Sequence, residues 1–170
     1  MTKTTIFGEE QLSNFHRDGF VVAHALFSTA EATCIRDTFM ETGRNGPVEG
    51  LSEIRRRRVD GTITGYDRSD PLSFYPRMME PHKHPELPVG PAAKKFMTDS
   101  RIGAALLQLM GEQPFAVSSM FYFKPPGARG QDFHQDDFYL RVKPGTCMAA
   151  WLALDDCDQE NGGMMCVPDT

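Results

Sequence analysis

Near residue 112 the spacing of apolar residues changes from helical to two, and that change limits what the chain can build. In FAVSSMFYFK, Phe115, Val117, Ser119, Phe121 and Phe123 fall on one side of an extended segment. Ala116, Ser118, Met120, Tyr122 and Lys124 fall on the other. Pro125, Pro126 and Gly127 end the run. A later run, CMAAWLALDD, sends Cys147, Ala149, Trp151 and Ala153 one way and Met148, Ala150, Leu152 and Leu154 the other. The turn DDCDQENGG then leads into MMCV, where a further strand begins close to Thr170.

Before the change the signals are helical. Leu12 and Phe15 share a face of a segment that stops at Gly19, and FVVA after it has the character of a short strand. Ser28 followed by Glu31 is a capping box with apolar Phe27 ahead of it; Ile35 and Phe39 continue the face and Gly43 stops it. Residues 43–91 are rich in Gly and Pro and form a long excursion of the kind that usually serves a function. Helix returns at AAKKFM and again from Asp99 through RIGAALLQLM to Gly111, an amphipathic segment placed to cover a sheet.

Helices first and strands after predict a mainly β chain with a helical N-terminal part, an α+β arrangement. Its 170 residues suit one domain, with residues 1–111 mainly helices and long loops and residues 112–170 the first strands. Because the last strand has barely begun at Thr170, the domain is expected to be the N-terminal portion of a longer one.

The net charge of -5 argues against nucleic acid or an anionic membrane surface as partner. A small molecule fits better. No apolar run approaches the roughly 20 residues that span a bilayer, and MTKTTIFGEE lacks the order of a signal peptide, so a cytoplasmic protein is expected. Cys34, Cys147, Cys157 and Cys166 contain no C-x-x-C pair and are expected to be free, buried thiols.

The chemistry concentrates in FHQDDF. If residues 133–138 are extended, His134 and Asp136 face one side and can offer an imidazole nitrogen and a carboxylate oxygen to one point, with Gln135 turned away. Such a pair is two thirds of a 2-His-1-carboxylate set, which leaves coordination positions open on non-haem Fe(II). Taken alone, H-x-D is more often a polar rim on an exposed strand.

The wider pattern adds K-P-P before a short loop, H-Q-D at its end, a Trp on the following strand, and N-G-G leading to V-P. With D-G-F-V-V at residues 18–22, it resembles the phytanoyl-CoA dioxygenase family of Fe(II)- and 2-oxoglutarate-dependent oxygenases. The likeness is good over residues 118–170 and loose over 43–110. It implies a double-stranded β-helix, the cupin-like jelly roll, with helices outside. It further implies that His134 and Asp136 ligate iron and carry catalysis, and that Met120 and Trp151 line the 2-oxoglutarate pocket. The activity implied is hydroxylation of a small organic molecule, such as a fatty acyl or natural-product substrate, with O2 and 2-oxoglutarate consumed. Related halogenases have a small apolar residue at the carboxylate position, so Asp136 favours hydroxylation. The family's second metal histidine and its arginine for the distal carboxylate of 2-oxoglutarate lie beyond the V-P turn. His16, His24, His82 and His84 all precede the pair.

Other features read more plainly. Arg55–Arg58 is a solvated run or a clamp for an anionic substrate. His82 and His84, flanked by Pro81 and Pro85, suit a loop rather than a metal, and Lys124 reaches either co-substrate or solvent. Asp132 shares the His134 side and is a reserve ligand, while Asp155, Asp156 and Asp158 are turn residues. Two rival readings remain: a cupin-like module that binds metal or ligand without turnover, or an inactive fragment of such an enzyme, and a His/Cys zinc site, which no thiol spacing supports.

Overall fold

The structure, a computed structural model, describes residues 5–53, 56–57, 63–64, 75–126, 128 and 131–169. In chain order the elements are α1 (Glu9–Asp18), α2 (Thr29–Thr42), β1 (Arg56–Arg57), β2 (Ile63–Thr64), β3 (Met78–Met79), a 3-10 turn (Pro81–Lys83), α3 (Val89–Met97), α4 (Ser100–Met110), β4 (Met120–Phe121) and α5 (Asp136–Leu140). They divide between two compact units, one of Met1–Leu26, Asp99–Phe115 and Arg129–Thr170, the other of Phe27–Thr98 and Ala116–Ala128.

In the first unit the helix ends fall where local chemistry puts them. Glu9 and Glu10 occupy the first turn of α1, where the helix dipole favours negative charge. Gly19 closes it at φ 80, with its N–H on the Phe15 carbonyl at 2.8 Å. Asp99 caps α4 by accepting the Arg101 N–H at 2.9 Å, and Gly111 closes that helix at φ 74. Ile102 and Ala105 are buried. The Gln108 side chain on the same helix accepts the N–H groups of Ile6 at 2.6 Å and Phe7 at 3.0 Å and donates to the Phe7 carbonyl at 3.1 Å. Thus α4 holds the N-terminal segment rather than covering a sheet, and the buried Phe7 is its cargo.

The second unit carries the larger apolar core. Its start is the capping box read from sequence: the Ser28 hydroxyl accepts the Glu31 N–H at 3.3 Å, and the Glu31 carboxylate accepts the Ser28 N–H at 2.8 Å. The helix α2 packs against α3, and Phe27 meets Phe96 with ring centroids 5.3 Å apart. Antiparallel β3 and β4 pair Met78 with Phe121 and Met79 with Met120, and Ser52 bridges to Met78. Around them Phe39, Leu51, Met78, Val89, Ala93 and Phe121 are buried. Phe121 stacks on Phe39 at 4.0 Å between centroids and 1° between planes, with Phe123 edge-on to it at 4.8 Å. The aromatic side of the 115–124 run therefore packs on α2, as its alternation suggests, but only from Phe121 onward. Phe115 and Val117 remain exposed.

A close backbone approach fixes where α3 sits. A Cβ on Gly90 would stand 1.9 Å from the His84 carbonyl oxygen, so only glycine lets this helix lie against the 3-10 turn. Gly90→Ala is expected to cost about 1–3 kcal/mol, the usual cost of forcing backbone apart in a packed site. Urea denaturation measures it, and an unchanged midpoint with unchanged slope would contradict this packing.

Several expected strands are absent among the described residues. Residues 20–23, 112–119 and 147–156 carry no ladder; within the period-two runs only Met120 and Phe121 are strand. Residues 133–138, expected to be extended, are instead a loop followed by α5. Alternation makes a segment fit for a sheet, but a strand exists only where a neighbour supplies hydrogen bonds, and β3 is the neighbour that β4 has. In place of the expected sheet, the remaining short ladder pairs Arg56 with Thr64 and Arg57 with Ile63. The rest of the arginine run, Arg55 and Arg58, lies outside the described residues. No helix is long and apolar enough to cross a membrane among the described residues. The four cysteines are free, but not buried as expected: Cys34 on α2, Cys157 and Cys166 are exposed and Cys147 is half-buried.

A candidate metal pair and its surroundings

The sequence Gln131–Gln135 is irregular, and α5 begins at Asp136. Gln135 itself is extended, at φ -107 and ψ 128. One extended residue between them is enough to turn His134 and Asp136 to the same side. The pair thus survives the loss of the strand expected to carry it.

His134 Nε2 lies 3.3 Å from Asp136 Oδ1, with side chains 32% and 49% exposed. Two adjacent donors on an octahedral ion with bonds of about 2.1 Å stand roughly 3 Å apart, so the separation fits two neighbouring ligands of one ion. The other imidazole nitrogen is engaged: Nδ1 is 2.7 Å from the Asp132 carbonyl oxygen. In the neutral ring that contact is made by an Nδ1–H donor, which leaves the lone pair on Nε2, toward Asp136. Asp132, expected as a reserve ligand, therefore contributes through its backbone. Tyr139 on α5 meets the His134 ring edge-on at 6.0 Å. Among the described residues no group of three or more His, Cys, Asp or Glu side chains could hold an ion.

Asp136 of the pair and the adjacent Asp137 act on a neighbouring thiol. Burial and the charges of Asp136 and Asp137 push the Cys147 thiol above its ordinary pKa, since each disfavours a thiolate. In the metal-free protein Cys147 is expected to alkylate with a midpoint above that of an ordinary free thiol. Asp136→Asn is expected to move that midpoint down. Mass-spectrometric labelling across pH checks it, and a midpoint below the ordinary value would contradict the placement.

Met120, in the second unit, is 44% exposed on the face of β4 away from Phe39. Its sulfur accepts the Tyr122 hydroxyl at 3.4 Å; Tyr122 in turn accepts from Arg77 Nη1 at 3.3 Å. Arg77 forks onto Glu53, with Nε on one oxygen and Nη2 on the other at 3.1 Å. The hydrogen bond to Glu53 raises the Arg77 pKa above its already high value and keeps it charged. Alternation placed Tyr122 beside Met120 in sequence. Arg77 and Glu53 gave no such signal, because the pairing of β3 with β4 brings Arg77 there and the Ser52–Met78 bridge brings Glu53. Trp151, in the first unit, is 48% exposed.

His82 and His84 each have a protein partner: His82 Nδ1 lies 2.7 Å from Ser119 Oγ, 37 residues on, and His84 Nδ1 lies 3.1 Å from the Glu86 carboxylate. Lys124 is exposed. The acidic loop is turn chemistry, as read: the Asp158 carboxylate accepts the N–H groups of Glu160 at 2.8 Å and Asn161 at 3.0 Å. Gly163 is required there, since a Cβ would meet the Asp158 carbonyl at 2.7 Å.

Comparison with known proteins agrees with the motif resemblance and widens it. The family model described as phytanoyl-CoA dioxygenase (PhyH) matches residues 15–170, including the stretch over 43–110 where the motifs are loose. The chain is 26% identical to phytanoyl-CoA dioxygenase 1 of Oryza sativa subsp. japonica over 94% of its own length and 63% of the relative's. It is 24% identical to the phytanoyl-CoA dioxygenase of Arabidopsis thaliana over the same shares. A 57-residue stretch, 32% of this chain and 20% of the relative, is 42% identical to phytanoyl-CoA dioxygenase domain-containing protein 1 of Danio rerio. The chain thus spans about 63% of the length of the first two. No solved structure matches it.

Proposed function

The chain belongs to the phytanoyl-CoA dioxygenase family, and on that premise we propose that the protein is an Fe(II)- and 2-oxoglutarate-dependent dioxygenase that hydroxylates a small organic molecule, of the fatty acyl or natural-product kind. The observation that carries the reading is the convergence of His134 Nε2 and Asp136 Oδ1 at 3.3 Å. In this reading both residues ligate iron within a cupin-like jelly roll. Bound there, Fe(II) supplies the coupling of 2-oxoglutarate decarboxylation by dioxygen to hydroxylation of a C–H bond.

The residues prepare that chemistry. The Asp132 carbonyl holds the Nδ1 proton of His134, so the ring offers Nε2 as a neutral ligand in a fixed orientation. Asp136 supplies a carboxylate where a small apolar side chain would leave room for a halide. Met120 is assigned to co-substrate binding, its sulfur held by the Tyr122 hydroxyl. Trp151 is assigned the same role on the strength of its place in the family pattern.

The test is succinate formation from 2-oxoglutarate by the full-length protein under oxygen, with and without Fe(II). Iron-dependent succinate is the expected result. A protein that binds metal yet forms no succinate with any candidate substrate would be a binding module instead.

A further inference from the structure

We propose that Asp137 is a positioning residue for the metal pair, holding the turn that presents Asp136; the inference rests on the iron-site reading above. The helix α5 has five residues, none of them buried. So short and exposed a helix has too few hydrogen bonds and too little packing to persist alone. What closes it is Asp137 twice over. Its carbonyl accepts the Arg141 N–H at 2.9 Å, and its carboxylate Oδ1 accepts the Val142 N–H at 2.9 Å. Arg141 adopts the left-handed conformation, φ 50 and ψ 47, which turns the following Val142 N–H back toward Asp137.

The residue beside the metal carboxylate is therefore the one that ties the end of the turn to its beginning. Loss of the side-chain bond frees the first turn, and with it the direction in which Asp136 points. The needed group is a hydrogen-bond acceptor at Oδ1, not a charge. Asparagine keeps that acceptor and alanine does not.

The experiment titrates the full-length protein with Mn(II), following free metal by electron paramagnetic resonance, in the wild type and in Asp137→Ala, Asp137→Asn, His134→Ala and Asp136→Ala. Asp137→Ala is expected to bind about tenfold more weakly, in the range of lost ligand-orienting contacts. Asp137→Asn is expected to restore binding close to wild type, with thermal midpoints alike in both. Wild-type affinity in Asp137→Ala, or equal weakness in the two Asp137 variants, overturns the proposal. Undiminished binding in His134→Ala and Asp136→Ala overturns the iron-site reading itself. Amide exchange at Val142 in the wild type gives a second measure that needs no variant: protection supports the bond, and exchange at the unprotected rate overturns it.

Discussion

His134→Ala and Asp136→Ala are each expected to lower iron-dependent turnover of the full-length protein by about a hundredfold or more. Loss of groups that merely orient a ligand costs about 10- to 100-fold, and these two residues are assigned as the ligands. Truncation at either position leaves one donor of a pair whose separation suits a single ion. Asp136→Ala also opens the space that the carboxylate fills, so halide added to that variant is a revealing control. Both side chains are 32% or more exposed, so the fold should tolerate the changes. Initial rates of succinate formation at saturating 2-oxoglutarate check the prediction, with circular dichroism to confirm folding. Near-normal rates in both variants would remove these residues from catalysis.

Phe121→Ala is expected to destabilise the protein by about 3–5 kcal/mol, the usual cost of removing a buried aromatic ring. The ring is only 9% exposed and stacks on Phe39 while Phe123 packs against its edge. Its backbone is also half of the β4 ladder with Met78. Against a typical total of about 5–15 kcal/mol, such a loss leaves the variant marginal. Urea denaturation measures it. A double-mutant cycle with Phe39→Ala should return about 0.5–1.5 kcal/mol of coupling for the stacked pair. A cost below about 1 kcal/mol would mean that Phe121 does not anchor this core.

The contrast between those two sites shows what the sequence could disclose. Helix ends were legible because their determinants are local: Ser28 and Glu31 bond each other, Asp99 caps its own helix, and Gly19 and Gly111 take up positive φ where the helices stop. Strands were less legible because pairing depends on distant residues. The alternation from Phe115 to Lys124 correctly put Phe121 and Phe123 on the packed side, but it could not show that only Met120 and Phe121 would meet a partner in Met78 and Met79. The approach of His134 to Asp136 was legible for a partly different reason from the one that holds it. Two residues on either side of an extended one face alike, and Gln135 is extended even though the strand around it is not. Nothing near Asp137 announced its bond to Val142, since that bond depends on the left-handed Arg141 between them. The likeness to the phytanoyl-CoA dioxygenase family, carried by K-P-P, H-Q-D and N-G-G, reached further than its motifs and extends from residue 15.

The most direct test of the central claim is an anaerobic titration of the full-length protein with Fe(II) and 2-oxoglutarate, followed by visible absorption. Chelation of 2-oxoglutarate through its keto and carboxylate oxygens to a protein-held iron gives a charge-transfer band. The account predicts that band in the wild type and its loss in both His134→Ala and Asp136→Ala. A folded wild-type protein that shows no band, or variants that keep it unchanged, would contradict the assignment of His134 and Asp136 as the iron ligands.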